Sequence, residues 1–205
     1  MRAATRRYVL TAVAALSLAA CGQAMGGKST SALPEEMTLG NPNAKVTVIE
    51  YASASCSHCA KWHEEVFPAF KKKYIDSGQV KYVYREFLTE PVPVASAGFL
   101  LARCAGKDKY FPVLDAVYRS QKEWMQTGDV NTPFVRIAKS YGMNEEQFRA
   151  CVSNEKEITA LNSRVQRYIA QDKIDSTPTF AIGGKKMPGE ISLEQLDAAI
   201  AAAKK

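Results

Sequence analysis

A chain of 205 residues with 46% hydrophobic, 23% charged and 9% aromatic side chains is neither low-complexity nor collagen-like, and is long enough to bury a core without metal or disulfide staples. The formal charge of +6 is inflated by Arg2, Arg6 and Arg7 at the extreme N-terminus. Without those three arginines the excess is small, which gives no basis for nucleic-acid binding.

Residues 1–8 carry these arginines, Val9 to Ala20 form a largely apolar run, and small residues follow. This is the three-part layout of a secretory signal peptide, predicted over residues 1–20, and its apolar run is too short to span a bilayer. The junction Leu18-Ala19-Ala20-Cys21 resembles the lipobox of bacterial lipoproteins. That resemblance implies a lipidated Cys21 and attachment to a membrane in the periplasm or cell envelope. Ordinary cleavage near Ala24, releasing a soluble protein, is the alternative, and Thr5 to Leu10 also resembles a loose twin-arginine signal. Residues 21–40, rich in Gly, Ser and Ala, then read as a flexible tether with a reach of about 24 Å, and the folded body as starting near Gly40-Asn41-Pro42.

Within the body, Lys45 to Tyr51 reads as a buried strand and Val80 to Leu88 as a second. Between them Trp62, Val66, Phe67, Phe70 and Tyr74 recur at three- and four-residue steps, the stripe of a helix packed on a sheet. From Pro91 to Lys173 the pattern is almost wholly helical, with segments at Val94 to Cys104, Pro112 to Ser120, a short helix capped by Asn144 and Gln147, and Ile158 to Asp172. Thr177 to Ile182 is a further strand, Gly183-Gly184 a tight turn, and Lys185 to Met187 its return. Ser192 with Gln195 forms a capping box for a last helix running toward Ala203. The runs Lys71-Lys72-Lys73 and Lys185-Lys186 read as solvated faces.

Cys56-Ser57-His58-Cys59 falls between the first strand and the following helix. A bare C-x-x-C is shared by zinc and redox sites. Zinc would need two further clustered ligands; His63 could supply one, but it falls among apolar stripe residues. A structural disulfide is a further alternative. At a helix N-terminus the first cysteine meets unpaired N–H groups and the positive end of the dipole, both of which favour a thiolate. Cys56 is therefore the predicted nucleophile and Cys59, one turn deeper, the predicted resolving thiol. His58 between them could lower the Cys56 pKa further.

With these residues in view the chain is identified as resembling the DsbA-like branch of the thioredoxin superfamily over residues 40–205. The resemblance implies an α/β thioredoxin fold: a thioredoxin-like domain over 41–90 and 174–205, interrupted by an inserted helical domain over 91–173. It also implies that Glu50, six positions before Cys56, is a buried acid able to shuttle the Cys59 proton. Thr177-Pro178 is then the cis-proline element that offers backbone to an extended substrate beside Cys56. Cys104 and Cys151 fall inside the insertion, where a structural disulfide is expected.

The implied activity is that of an exported thiol:disulfide oxidase, donating the Cys56–Cys59 disulfide to reduced substrate proteins and reoxidised by a DsbB-type membrane partner. No metal, flavin, nucleotide or nucleic acid is called for. Ser57 departs from the proline usual in the strongest oxidases, and Thr177 is shared with isomerase and reductase relatives. An isomerase or reductase of the same fold is therefore the first alternative, and a non-catalytic peptide-binding or holdase lipoprotein the second.

Overall fold

The computed structural model describes residues 36–205. The predicted signal peptide, the lipidation at Cys21 and the tether up to residue 35 lie outside the described residues.

Five strands, β1 (Met37–Gly40), β2 (Val46–Ala52), β3 (Val80–Glu86), β4 (Thr179–Ile182) and β5 (Lys185–Pro188), form one sheet in the order β1-β3-β2-β4-β5. β2 and β3 run parallel, and the other neighbours are antiparallel. A parallel pair needs a crossover, supplied by α1 (Ser57–Glu65), α2 (Phe67–Phe70) and a π-helical turn over Lys71–Ile75. The expected single helix is broken because Pro68, in the first turn of α2, has no N–H to continue the ladder, so Val66 joins two segments. Trp62, Phe70 and Tyr74 still share the buried face that the stripe required.

Residues 37–40, expected as the end of the tether, belong to the sheet instead. Met37 pairs with Tyr84 and Gly40 with Lys81, and Gly40 closes the strand at φ +83°, where a Cβ would come within 2.5 Å of the Val80 carbonyl oxygen. The short Met37–Leu39 alternation is too brief to stand out beside the Gly- and Ser-rich stretch before it. The fold also holds Glu36, which is buried and ion-paired with Arg85. Arg85 further donates to Tyr51 Oη at 2.7 Å and Asp172 at 2.8 Å, between the rings of Tyr51 and Tyr168.

Between β3 and β4 lie α3 (Val92–Cys104), α4 (Tyr110–Thr127), α5 (Asn131–Ser140), α6 (Glu145–Val152) and α7 (Glu155–Asp172). α4 is longer than expected and stops at Gly128, which adopts a left-handed conformation; α5 was not separable from its neighbours by pattern. α6 and the closing α8 (Leu193–Ala203) both begin with the capping boxes read from their sequences. Two features dock these helices onto the sheet. Gly98 in α3 lets the helix close on the loop before Cys56, since a Cβ there would lie 2.9 Å from Ala54 Cβ and 3.0 Å from Val117. Buried Glu86 at the end of β3 accepts from Arg103 of α3 at 2.6 and 2.8 Å, Arg164 of α7 at 2.9 Å and Tyr110 of α4 at 3.1 Å. A buried carboxylate so compensated ties one strand to three helices. Cys104 and Cys151 are bonded, joining the ends of α3 and α6, with an S–S distance of 2.06 Å. No described helix is long and apolar enough to cross a membrane.

Candidate active site

β2 delivers the chain to a short loop, Ser53 to Cys56, packed into the core by its own polar groups. The Cys56 N–H donates to Ser53 O at 3.1 Å, Ser55 Oγ lies 2.9 Å from Thr89 Oγ1, and Thr89 N–H donates to Ser53 Oγ at 3.2 Å. From the insertion, Gln121 Nε2 donates to Ala54 O at 2.9 Å and to Cys56 O at 3.2 Å. Gln121 is buried and its Oε1 has no partner among the described residues. The side chain is oriented by its two donors, which hold the loop carbonyls.

Held this way, Cys56 is the N-cap of α1, with φ −80° and ψ 117°, and its Sγ accepts the Cys59 N–H at 3.2 Å. The helix thus starts on a sulfur in the place usually taken by a serine or aspartate oxygen. Both cysteines are free thiols; Cys56 is half-buried and Cys59 fully buried. Opposite them the Thr177–Pro178 peptide bond is cis, and the Cys56 thiol points at the Thr177 carbonyl oxygen, 3.5 Å away. A second cis bond, Glu90–Pro91, follows Thr89. The sequence reading did not single it out.

The two sulfurs are driven apart in acidity. A hydrogen bond from the Cys59 thiol is the largest influence on Cys56 and, with the Thr177 side chain, the Cys59 N–H and finally the charge of His58, brings its pKa down from 9.0 to about 6 against the opposing effect of burial. Cys59 is pushed well above the ordinary thiol range, first by burial and then by Cys56, with the charge of Glu50 adding to it. The buried thiol therefore stays protonated and able to donate where its neighbour ionises.

His58 does less than its place in the motif suggests. Its ring is 72% exposed, and Nδ1 donates to Glu190 Oε1 at 2.6 Å. Glu190 also holds Lys61 at 2.9 Å, and both partners keep its carboxyl below the usual range. Glu50 is fully buried, as expected, but its hydrogen-bond partners are other groups than Cys59: His63 Nε2 donates at 3.0 and 3.1 Å to its two oxygens, and the Tyr82 hydroxyl donates to one of them. His63 sits one turn after Cys59 on the same face of α1, a spacing that could have linked it to the site. Committed to Glu50, it is not part of a metal set, and no group of three or more His, Cys, Asp or Glu side chains among the described residues could hold an ion. Gln121 and Glu190 carried no local signal, lying 65 and 132 positions from their partners.

An acidic thiol above a buried thiol, beside the part-buried Thr177 carbonyl, can undergo thiol–disulfide exchange. Comparison with known proteins agrees with that chemistry. A thioredoxin family model matches residues 32–202. A Rickettsia conorii protein provisionally named a protein-disulfide oxidoreductase is 32% identical over 167 residues, covering 80% of this chain and 59% of that protein. For a Rickettsia bellii protein of the same provisional name the identity is 31%, with 80% and 63% covered. The chain thus spans about three-fifths of the length of these relatives. Among solved structures, Wolbachia pipientis alpha-DsbA1 superposes with a TM-score of 0.76 at 28% identity, covering 85% of this chain and 96% of that one. Bacillus subtilis BdbD shares the fold, with a TM-score of 0.70 at 20% identity over 82% of this chain and 92% of its own.

Proposed function

The chain belongs to the DsbA-like thiol–disulfide oxidoreductases of the thioredoxin superfamily, and from that premise we propose that it works as an oxidase, passing the Cys56–Cys59 disulfide to reduced substrate proteins. The observation that supports this reading is the pairing of an accessible Cys56, titrating at about 6, with a fully buried Cys59 held protonated. Lowering the pKa of the attacked sulfur below ambient pH stabilises the reduced enzyme, by about 1.4 kcal/mol for each tenfold gain in acidity, and so makes the disulfide a better oxidant.

The exchange takes two displacements. A substrate thiolate attacks Cys56 Sγ, the Cys56–Cys59 bond breaks, and Cys59 leaves with the electron pair and takes up a proton. A second substrate thiolate then attacks the substrate sulfur of the mixed disulfide, and Cys56 departs as the stabilised thiolate. The substrate has lost two electrons to the enzyme, which a DsbB-type membrane partner would collect. Glu50, whose charge is felt at Cys59, is the group assigned to exchange protons with it. The Thr177 backbone beside Cys56 would pair with an extended substrate segment as an added strand. Residues 1–20 as a signal and a lipidated Cys21 would place this chemistry at the outside of a membrane.

The test is to mix the oxidised protein with a reduced multi-cysteine substrate and with glutathione. Oxidation of the substrate, abolished by Cys56→Ser, is expected. Activity confined to reshuffling scrambled disulfides would replace the oxidase reading with an isomerase, and function surviving Cys56→Ser would replace both with a peptide binder.

A further inference from the structure

The connector from β5 to α8 fastens three parts of the site within three residues. Gly189 N–H donates to Pro178 O at 2.8 Å, and Ile191 O accepts Trp62 Nε1–H at 2.8 Å. Between them Glu190 reaches α1 with both oxygens, Oε1 2.6 Å from His58 Nδ1 and Oε2 2.9 Å from Lys61 Nζ. The cis-proline loop, the core side of α1 and its exposed side are thus held by one short segment.

The ring of His58 is 72% exposed while Glu190 is 25% exposed, so the imidazole is kept in place by the carboxylate rather than by packing. Glu190 and the Cys56 thiolate are then two anions competing for one imidazole. An imidazolium bound to Glu190 forms a nearly neutral pair, whose field at a neighbouring sulfur is weaker than that of a lone cation. Consistent with this, His58 is the weakest of the named influences on Cys56.

We propose that Glu190 is a positioning residue of the active site that draws His58 away from Cys56 and so moderates the oxidising strength of the Cys56–Cys59 pair. This rests on the thiol–disulfide reading above. Besides His58, the groups acting on Cys56 are Cys59 and Thr177, while Glu50 acts on Cys59 and Lys61 shares the Glu190 carboxylate. Of these, Lys61 is also released when the Glu190 charge is removed. Glu190→Gln keeps the size of the side chain and its ability to hydrogen-bond but ends the competition. With the Glu190 carboxylate gone, His58 is no longer held in an ion pair. Its charge would then act on the thiolate uncancelled.

The experiment compares full-length wild type, Glu190→Gln, His58→Ala and the double variant. One readout is the pH profile of Cys56 alkylation in the reduced protein, the other the equilibrium with glutathione. Glu190→Gln is expected to move the alkylation inflection to lower pH and shift the glutathione equilibrium about threefold or more toward reduced enzyme, the change that accompanies half a pH unit. In the His58→Ala background the shift should shrink, because Lys61 is then the sole cation released. An unchanged or raised inflection in Glu190→Gln, or an undiminished shift without His58, overturns the proposal. A wild type that shows an acidic Cys56 but exchanges with no dithiol would instead overturn the oxidoreductase reading, and the alkylation profiles would still judge Glu190.

Discussion

Replacing Cys59 with alanine should make Cys56 a weaker acid, because the Cys59 thiol is the largest influence lowering the Cys56 pKa. The substitution keeps the backbone N–H that caps on Cys56 Sγ at 3.2 Å and the contact with Thr177, so it removes one donor and little else. A hydrogen bond to a charged acceptor contributes about 1.5–3 kcal/mol. Cys56 is only partly buried, so solvent screening reduces this to about 1.4 kcal/mol, equivalent to a tenfold loss of acidity. The rate of alkylation followed from pH 4 to 9 reads the change directly, and Cys59→Ser, whose hydroxyl can still donate, should fall between alanine and wild type. An inflection that stays at about 6 in Cys59→Ala would refute the reasoning and return the thiolate to the helix N-terminus and His58. The same acidity fixes a pH dependence. The folded-state value lies below the ordinary one, so the stabilisation it gives the reduced protein is fully present above about 9 and is lost as pH falls through about 6. Taken at face value this range corresponds to about 4 kcal/mol, which partial exposure brings nearer to about 2 kcal/mol. Denaturation of the reduced protein against Cys56→Ser across that window should show the difference growing with pH.

Gln121→Met should lower stability by about 2 kcal/mol in urea, since two loop carbonyls lose their donor while the unpartnered Oε1 is removed as a partial offset. It should also shift the Cys56 alkylation profile, which an ordinary core substitution would not do. Replacing Cys104 and Cys151 together with alanine opens a closed loop whose ends are 47 residues apart. The loss is about 4 kcal/mol on chain-entropy grounds, read by thermal unfolding, with exchange at Cys56 retained at temperatures where the protein is folded. Glu86→Gln removes the carboxylate shared by half-buried Arg103 and buried Arg164. A loss of about 3–5 kcal/mol is expected, and an unfolding midpoint unchanged from wild type would show that these arginines find other partners.

Strands β2 to β5, the stripe on α1 and α2 and both capping boxes were legible because each is written in residues a few positions apart. The pattern that makes Trp62, Phe70 and Tyr74 one face is local, as is Ser192 with Gln195. Where the reading missed, the deciding contact was distant or the signal short. β1 exists because Met37 to Gly40 pair with β3 more than forty residues later, and its four residues offer no period to measure. Central strands buried on both faces also hide their polar residues. Glu50 and Glu86 look alike in sequence, each an acid in an apolar strand, yet one is met by His63 and Tyr82 and the other by two arginines from the insertion.

The same distinction explains the site. Cys56, Cys59 and the Thr177–Pro178 element could be named from the sequence, but the cause of the Cys56 acidity was assigned to its neighbours in the chain, the helix terminus and His58. In the folded protein the leading cause is the Cys59 thiol, and burial pushes that thiol further above the range in which Cys56 ionises, so it stays protonated and able to donate. Its burial depends on α4 lying across α1, the helix whose Tyr118 senses Cys59 and whose Gln121 grips the carbonyl of Cys56. The inserted helices are therefore more than a roof over a finished thioredoxin-like centre. They pack against the helix that carries Cys59 and hold the carbonyl of Cys56, so the acidity of the half-buried sulfur is a property of the two parts docked together.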